Sequence, residues 1–226
     1  MSNLKQRLPL SRESIDELDA VVQYDRGAKY YMLPEYKYFV WKIRRKGENK
    51  GRVLDIGTGS GLLAIELAKQ NGNDLAITGI DISNNMIMQA IRNARAAGVQ
   101  DKISFINSTA SRLPFNAGAF DIVISYASLH HWLYPVTVFN EIERVTKKDG
   151  FIIIRENKRI YDNVFWRCFV WLLTRFMNKR HRENWPKVIR ACYTIPEIKE
   201  IIKQSQLRKC RVYSDFIRFD MSIESN

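Results

Sequence analysis

The residues best placed to do chemistry lie in one stretch, Arg52-Val53-Leu54-Asp55-Ile56-Gly57-Thr58-Gly59-Ser60-Gly61. A short apolar run enters three glycines at alternate positions, and a helix-period segment begins at Leu62. Strand, glycine turn and helix start form the cradle that α/β sheets offer to phosphates and nucleosides. Glycine suits the turn because it tolerates positive φ and lets a ligand approach the backbone. Asp55 stands two residues before the first glycine, and Leu62 occupies the place where a dinucleotide loop needs another glycine. A pyrophosphate would be repelled by that carboxylate, whereas a cation would be held. The combination points away from dinucleotides and toward a nucleoside with a positively charged amino-acid tail.

Further candidates follow in chain order. Asp81 ends the next apolar run, where a nucleoside-binding sheet presents a carboxylate to the ribose hydroxyls. His130 and His131, two of only three histidines, follow the run 120–125 in a polar-aromatic loop. Either could take a proton from a hydroxyl acceptor, His130 being preferred, or serve as a neutral histidine that holds the loop. Upstream, Tyr24, Tyr30, Tyr31, Tyr36 and Tyr38 crowd one segment. They suit a helix packed on the sheet, or a lid whose Tyr24, Tyr30 or Tyr31 hydroxyls reach a bound ligand.

Regular alternation of elements must position these groups. Apolar runs at 53–56, 75–81, 103–107, 120–125 and 151–155 read as buried strands. Helix-period segments at 62–70, 84–97 and 136–146 separate most of them, with Ser83 as a cap and stops at Asn71-Gly72-Asn73 and Gly98. A turn is expected at Lys147-Lys148-Asp149-Gly150. This pattern predicts an α/β fold with a doubly wound parallel sheet and helices on both faces. Residues 1–50 read as a helical lid starting near Ser11, Glu13, Ser14, Asp16 and Glu17. Thr194 caps a late helix to about Gln204, and 209–213 with 216–221 form a closing, partly antiparallel hairpin.

At these residues the chain resembles the class I S-adenosylmethionine-dependent methyltransferases. The resemblance covers about 50–155 and rests on the glycine stretch, Gly79-Ile80-Asp81-Ile82-Ser83, Leu113-Pro114-Phe115, Phe120-Asp121-Ile122-Val123 and Glu141-x-x-Arg144-Val145-x-Lys147. It implies a mostly parallel seven-stranded sheet with the last strand antiparallel. It divides one domain into a lid (1–50), a cofactor-binding core (51–155), a helical insertion (156–190) and a closing helix and hairpin (191–226). Asp55 and the backbone of Gly57, Thr58, Gly59 and Gly61 would face the methionine part of S-adenosylmethionine. Asp81 would take the ribose, Ile82 and Met86 would flank the adenine, and Ala110 and Ser111 would meet it through backbone amides. Ser125 and Tyr126 would lie beside the sulfonium, and S-adenosylhomocysteine would be the product. Many relatives have Asp where this chain has Thr109, so a hydroxyl or backbone alone must serve the adenine amine. The loop after 125 lacks the Asn-Pro-Pro-Tyr motif of families acting on adenine amines or glutamine side chains.

Net charge is +12, and it is uneven: residues 1–150 hold 20 Lys/Arg against 16 Asp/Glu, residues 151–226 hold 16 against 8. That suits a solvated basic surface, or contact with an anionic membrane, RNA or an acidic partner. The segment 164–177 is apolar around most of a helix and ends in the cations of 178–182. It could cap the acceptor pocket, lie on a membrane surface or contact RNA. No leader or membrane span is visible, and Cys168, Cys192 and Cys210 show no metal spacing, so a cytoplasmic protein, peripheral to the membrane at most, is expected. The expected function is methyl transfer to a small or lipophilic acceptor, with RNA or protein methylation, or cofactor binding without turnover, as alternatives.

Overall fold

Each apolar run noted above is a strand. The computed structural model describes residues 7–9, 15–45, 50–70, 75–159, 186–207, 210–215 and 220–225. Its strands are β1 (Gly51–Ile56), β2 (Leu75–Asp81), β3 (Ile103–Asn107), β4 (Phe120–Tyr126), β5 (Thr146–Asn157), β6 (Cys210–Asp215) and β7 (Asp220–Ser225). They form one seven-stranded sheet in the order β3-β2-β1-β4-β5-β7-β6. The pairs among β1 to β5 are parallel, and β7 runs antiparallel between β5 and β6. The expected seven strands, with the last reversed, are therefore present.

Strand order reverses at β1, with β2 on one side and β4 on the other. The carboxyl ends of β1 and β4 thus flank the crevice where open α/β sheets bind ligands. Side-chain alternation splits the core in two. Val53, Ile122, Ile124 and Ile153 face one cluster, and Leu54, Ile56, Val123, Ile152 and Ile154 face the other. Helices α1 (Leu18–Tyr31), α2 (Leu33–Arg45), α3 (Leu62–Gln70) and α4 (Asn84–Ala96) cover the first face. Helices α5 (Pro135–Val145) and α6 (Ile195–Gln204) cover the second.

Local sequence sets these boundaries. Ser83 accepts from the Met86 amide and starts α4, while Gly98, at φ 68°, follows its end. Thr194 and Glu197 form a reciprocal capping box at α6. The resemblance motifs have structural roles as well. Glu141 accepts from the Leu113 amide at 2.7 Å, and Arg144 donates to the Phe115 and Leu113 carbonyls, so this ion pair fixes the 113–115 loop.

Residues 33–45 pack on the sheet, one of the two readings open for this segment, with Phe39, Val40 and Ile43 fully buried against it. α1 begins at Leu18, directly after Asp16 and Glu17, and the Asp16 carboxylate accepts from Ser83 Oγ at 2.6 Å, tying the segment before α1 to the start of α4. Two expectations change. The turn expected at 147–150 is a bulge inside β5, since Phe120 pairs with Thr146 while Ile122 pairs with Phe151. The closing strand begins at Asp220, in register with β5, and buries Ile223. The helix start at Ser11, Glu13 and Ser14, the stop at 71–73, the segment 164–182, Cys168 and residues 209 and 216–219 lie outside the described residues. Among the described residues no helix is long and apolar enough to cross a membrane.

Candidate active site

β1 delivers Asp55 to the first face at the strand's last turn, where it is 1% exposed. Thr58 Oγ1 donates to its Oδ2 at 2.7 Å. Burial pushes the Asp55 carboxyl up to about 7; the Thr58 bond pulls it down and the nearby Asp81 adds to the rise. A buried carboxylate in that state is seeking a cation. Asp81, at the end of β2, accepts from the Gly59 amide and the Ser83 amide, each at 2.9 Å. Burial raises this carboxyl too, against the pull of those amides.

The glycine turn is shaped by close approach. Gly57 has φ 70°, and a Cβ there would stand 2.5 Å from the Ser128 Cβ. Gly61 has φ 79°, and its Cβ would meet the Ala90 side chain at 2.8 Å, so it lets α3 and α4 approach. Tyr24 lies over Gly59: a Cβ at that glycine would be 3.6 Å from the tyrosine ring and 3.7 Å from its hydroxyl. The Tyr36 hydroxyl lies near that of Tyr24 and donates to Met32 Sδ at 3.6 Å, and the Tyr36 ring meets Tyr126 edge-on at 5.2 Å. Phe39 meets Tyr126 from another side at 5.5 Å. An aromatic wall therefore runs from the glycine turn to the end of β4. Burial raises both Tyr24 and Tyr36 hydroxyls, so they stay protonated donors at neutral pH.

A buried network fixes α1 in this place. Asn93 donates to Asp25 and to the Ser60 carbonyl, each at 2.8 Å, and Lys29 bonds to both Asp25 and Asn93 at 2.7 Å. These contacts link lid, α4 and glycine turn.

Of the expected residues, Thr58, Asp81 and Tyr24 lie near Asp55, and Gly59 is bonded to Asp81. Ile82, 42% exposed, presents apolar surface beside Asp81, while Met86 is buried beneath it. Thr109 Oγ1 accepts from the Ser111 amide at 3.3 Å and lies 2.9 Å from the Ser111 hydroxyl, so that hydroxyl is engaged in a local turn beside Ala110. The Ser125 side chain lies on the second face, fully buried, and donates to the Ile56 carbonyl at 2.9 Å, clamping β4 to β1. Tyr30 differs from expectation: it is 78% exposed and packs edge-on against Tyr31, the last residue of α1. The helix turns Tyr30 away from the face that carries Tyr24.

After β4, Ala127 adopts φ 52°, an uncommon conformation for a residue with a Cβ, and its amide donates to the Arg155 carbonyl. The turn that follows (Leu129–His131) buries His130, whose Nδ1 lies 3.0 Å from Glu156 Oε2. The His130 amide donates to the same oxygen, and the Asn157 amide donates to Oε1. Burial raises the Glu156 carboxyl, but His130 and the amides outweigh it and hold the group below its ordinary range. The His131 ring lies 4.3 Å from that of His130. Cys192 joins from the second face, and His130, Glu156 and Cys192 offer ring nitrogen, oxygen and sulfur within 4.8 Å of one another. The thiol donates to the Val188 carbonyl, and burial, then Glu156, pushes it well above its ordinary range. Glu156, Asn93 and Arg155 had no sequence signal; only a period-2 reading of 151–157, which places Arg155 and Glu156 on opposite faces, hints at two of them.

A sequence model described as a methyltransferase domain matches residues 54–154. The 27-O-demethylrifamycin SV methyltransferase of Amycolatopsis mediterranei is 37% identical over 99 residues, which are 44% of this chain and 36% of that protein. The demethylmenaquinone methyltransferase of Geobacillus kaustophilus is 29% identical over 148 residues, 64% of this chain and 58% of that one. The chain thus matches less than two thirds of the length of these relatives. Among solved structures, a candidate S-adenosyl-L-methionine-dependent methyltransferase from Methanococcus maripaludis superposes with TM-score 0.78 at 22% identity, covering 97% of this chain and 96% of that one. A SAM-dependent methyltransferase from Aquifex aeolicus gives 0.67 at 16% identity, covering 93% and 98%. Together with the strand order, the glycine turn and the carboxylates at the ends of β1 and β2, these matches make residues 54–154 similar in sequence to a methyltransferase domain and give the described chain the fold of the S-adenosylmethionine-dependent methyltransferases.

Proposed function

We propose that this protein binds S-adenosylmethionine across the ends of β1 and β2 and methylates a small, lipophilic acceptor held beneath α1 and α2. The observation that carries the reading is the pair of buried carboxylates flanking the glycine turn. Asp55, pushed up to about 7 by burial, suits the ammonium group of the methionine tail. Asp81, held at the mouth by two amides, suits the ribose hydroxyls. S-adenosylmethionine supplies an activated methyl on a sulfonium, passed on by in-line displacement. The chain's own residues align and dry the reaction site. Tyr24, Tyr36, Phe39 and Tyr126 give it an apolar wall with two buried hydroxyls. The relatives named for rifamycin and menaquinone substrates favour a lipophilic acceptor of that kind.

Where the acceptor carries a proton, His130 is its destination. Glu156 fixes the ring through Nδ1, which leaves Nε2 as the nitrogen that receives the proton. His131 then packs the loop.

Calorimetry with S-adenosylmethionine and S-adenosylhomocysteine tests the donor half, with binding by both expected. Absence of binding overturns it. Formation of S-adenosylhomocysteine on adding quinols or phenols supports the acceptor half, whereas turnover only with RNA or protein moves the acceptor to the alternative class.

A further inference from the structure

Helix α2 turns two faces in opposite directions. Tyr36, Phe39, Val40 and Ile43 are buried, and the two aromatics among them belong to the wall that meets Tyr126. The other face carries Lys37, Trp41, Arg44 and Arg45, all exposed and spaced i, i+4, i+7 and i+8, which puts them on one side of the helix. Trp41 is 47% exposed, yet it is held in place. The Tyr38 ring stacks beside it at 5.6 Å and 24°, and the Arg45 guanidinium carbon lies 4.9 Å from its ring centre. The last turns of α1 repeat the combination with Arg26 and Tyr30, both exposed and four residues apart.

The charge on this surface has one sign. Among the described residues no carboxylate pairs with Arg26, Lys37, Arg44 or Arg45. The one acid of α2, Glu35, approaches Arg155 of β5 instead, and the neighbouring Lys42 is taken by Glu224. Water alone accounts for exposed cations. It does not account for a large aromatic ring fixed among them. That composition suits a helix lying in a lipid headgroup layer, where cations meet anionic headgroups and the indole enters the boundary with the acyl chains. A net charge of +12 adds attraction at longer range. RNA would be drawn by the same cations, but its bases stack on open aromatic faces. Those of Trp41 are already approached by Tyr38 and Arg45.

We propose that the outer face of α2, with the end of α1, docks on an anionic membrane surface. The docking stands on these residues alone. Its purpose rests on the methyltransferase reading: the inner face of the same helix lines the acceptor wall, so docking brings that wall to the bilayer in which a lipophilic acceptor dissolves.

The test is co-sedimentation of the full chain with phosphatidylcholine vesicles, with and without phosphatidylglycerol, at low and high salt. The wild type is expected to partition onto the anionic vesicles about tenfold or more strongly than onto the neutral ones, and less so as salt rises. Lys37→Gln, Arg44→Gln and Arg45→Gln combined lower that partitioning by roughly fivefold per cation, about 100-fold in all. Trp41→Ser lowers it at both salt concentrations, because the apolar part is not screened. Lys179→Gln, Arg180→Gln and Arg182→Gln combined leave it in place. Equal partitioning of the wild type onto both vesicles, or anionic partitioning that survives the α2 triple variant, overturns the proposal. So does a loss confined to the 179–182 variant, or capture by single-stranded RNA in place of the vesicles. Calorimetry with S-adenosylhomocysteine, without vesicles, is run on every variant and is expected to match the wild type. Absence of that binding from the wild type sinks the donor reading and leaves the vesicle result standing, with folding then followed by circular dichroism.

Discussion

Thr58 Oγ1 donates to Asp55 Oδ2 at 2.7 Å, and it is the one side-chain hydrogen bond that eases a carboxylate 1% exposed at the heart of the fold. The pair explains why the glycine turn reads Gly-Thr-Gly: the residue between two glycines reaches back to the strand it follows. Burial outweighs the pull of this bond and keeps a proton at Asp55 up to about pH 7.

That proton sets a pH dependence with a defined sign. Between about pH 4 and pH 7 the unfolded Asp55 ionises while the folded one stays protonated. The ligand-free protein therefore loses stability as pH rises through that window, by up to on the order of 4 kcal/mol from this group. A cationic ligand reverses the balance, since the ionised carboxylate is then stabilised. S-adenosylmethionine should bind tighter as pH rises from 6 to 7, with binding levelling off above and weakening again as its own amino group deprotonates near 8. In Asp55→Asn the rise disappears, and affinity at pH 7.5 falls by about tenfold or more. Calorimetry across pH checks this; an unchanged slope in Asp55→Asn would refute the assignment.

Gly57→Ala is expected to damage the fold, and Gly98→Ala to disturb it mildly. Both positions have positive φ, but a Cβ on Gly57 would strike Ser128 at 2.5 Å, whereas one on Gly98 meets nothing within 4 Å. The second substitution costs about 1 kcal/mol of backbone strain. The first adds a clash in the turn that touches the ligand, and about 3 kcal/mol or more in total is reasonable. Thermal denaturation distinguishes them, and equal losses would show that the Ser128 contact relaxes freely.

The donor half of this protein was legible because it is local. Asp55, the glycines and Asp81 stand at strand ends, and the position of a strand end follows from a buried apolar run. The proposed acceptor site was not legible because its residues come together across the chain. Tyr36 reaches Tyr126 across 90 residues. Ser125 and Tyr126 differ for a physical reason: strand alternation turns the Ser125 side chain to the second face and the Tyr126 side chain to the first. Tyr30 misled because helical periodicity, not tyrosine density, decides which hydroxyl reaches the turn.

If His130 receives the acceptor's proton, Glu156→Gln should act through it. The glutamine can still accept from Nδ1–H, so the ring stays in place, but the stabilising charge is lost. His130→Gln is expected to lower kcat by about 10²–10⁴ with hydroxyl acceptors. Glu156→Gln should give a smaller loss of kcat with the same acceptors, because the charge that steadies the proton-accepting ring is gone. Acceptors without a labile proton should be insensitive to both changes. An unchanged kcat in Glu156→Gln with hydroxyl acceptors would leave the pair a purely structural contact.

Asn93→Ala tests whether the lid is fastened or floating. Asn93 is 7% exposed, and its amide donates to both Asp25 and the Ser60 carbonyl, tying α1 to the glycine turn through α4. Removing it leaves a buried carboxylate and a backbone carbonyl short of a donor, at about 1–3 kcal/mol each in the limit where no water replaces it. Lys29 still reaches Asp25, so the observed loss should sit near the lower end, about 2 kcal/mol in all. Tyr24 depends on this anchor for its place above Gly59. Cofactor affinity should therefore fall along with stability, and the Tyr24→Phe change should cost little further affinity in the Asn93→Ala background. A double-mutant cycle on S-adenosylhomocysteine binding reads that coupling. Strict additivity of the two changes would mean that α1 keeps its position without Asn93.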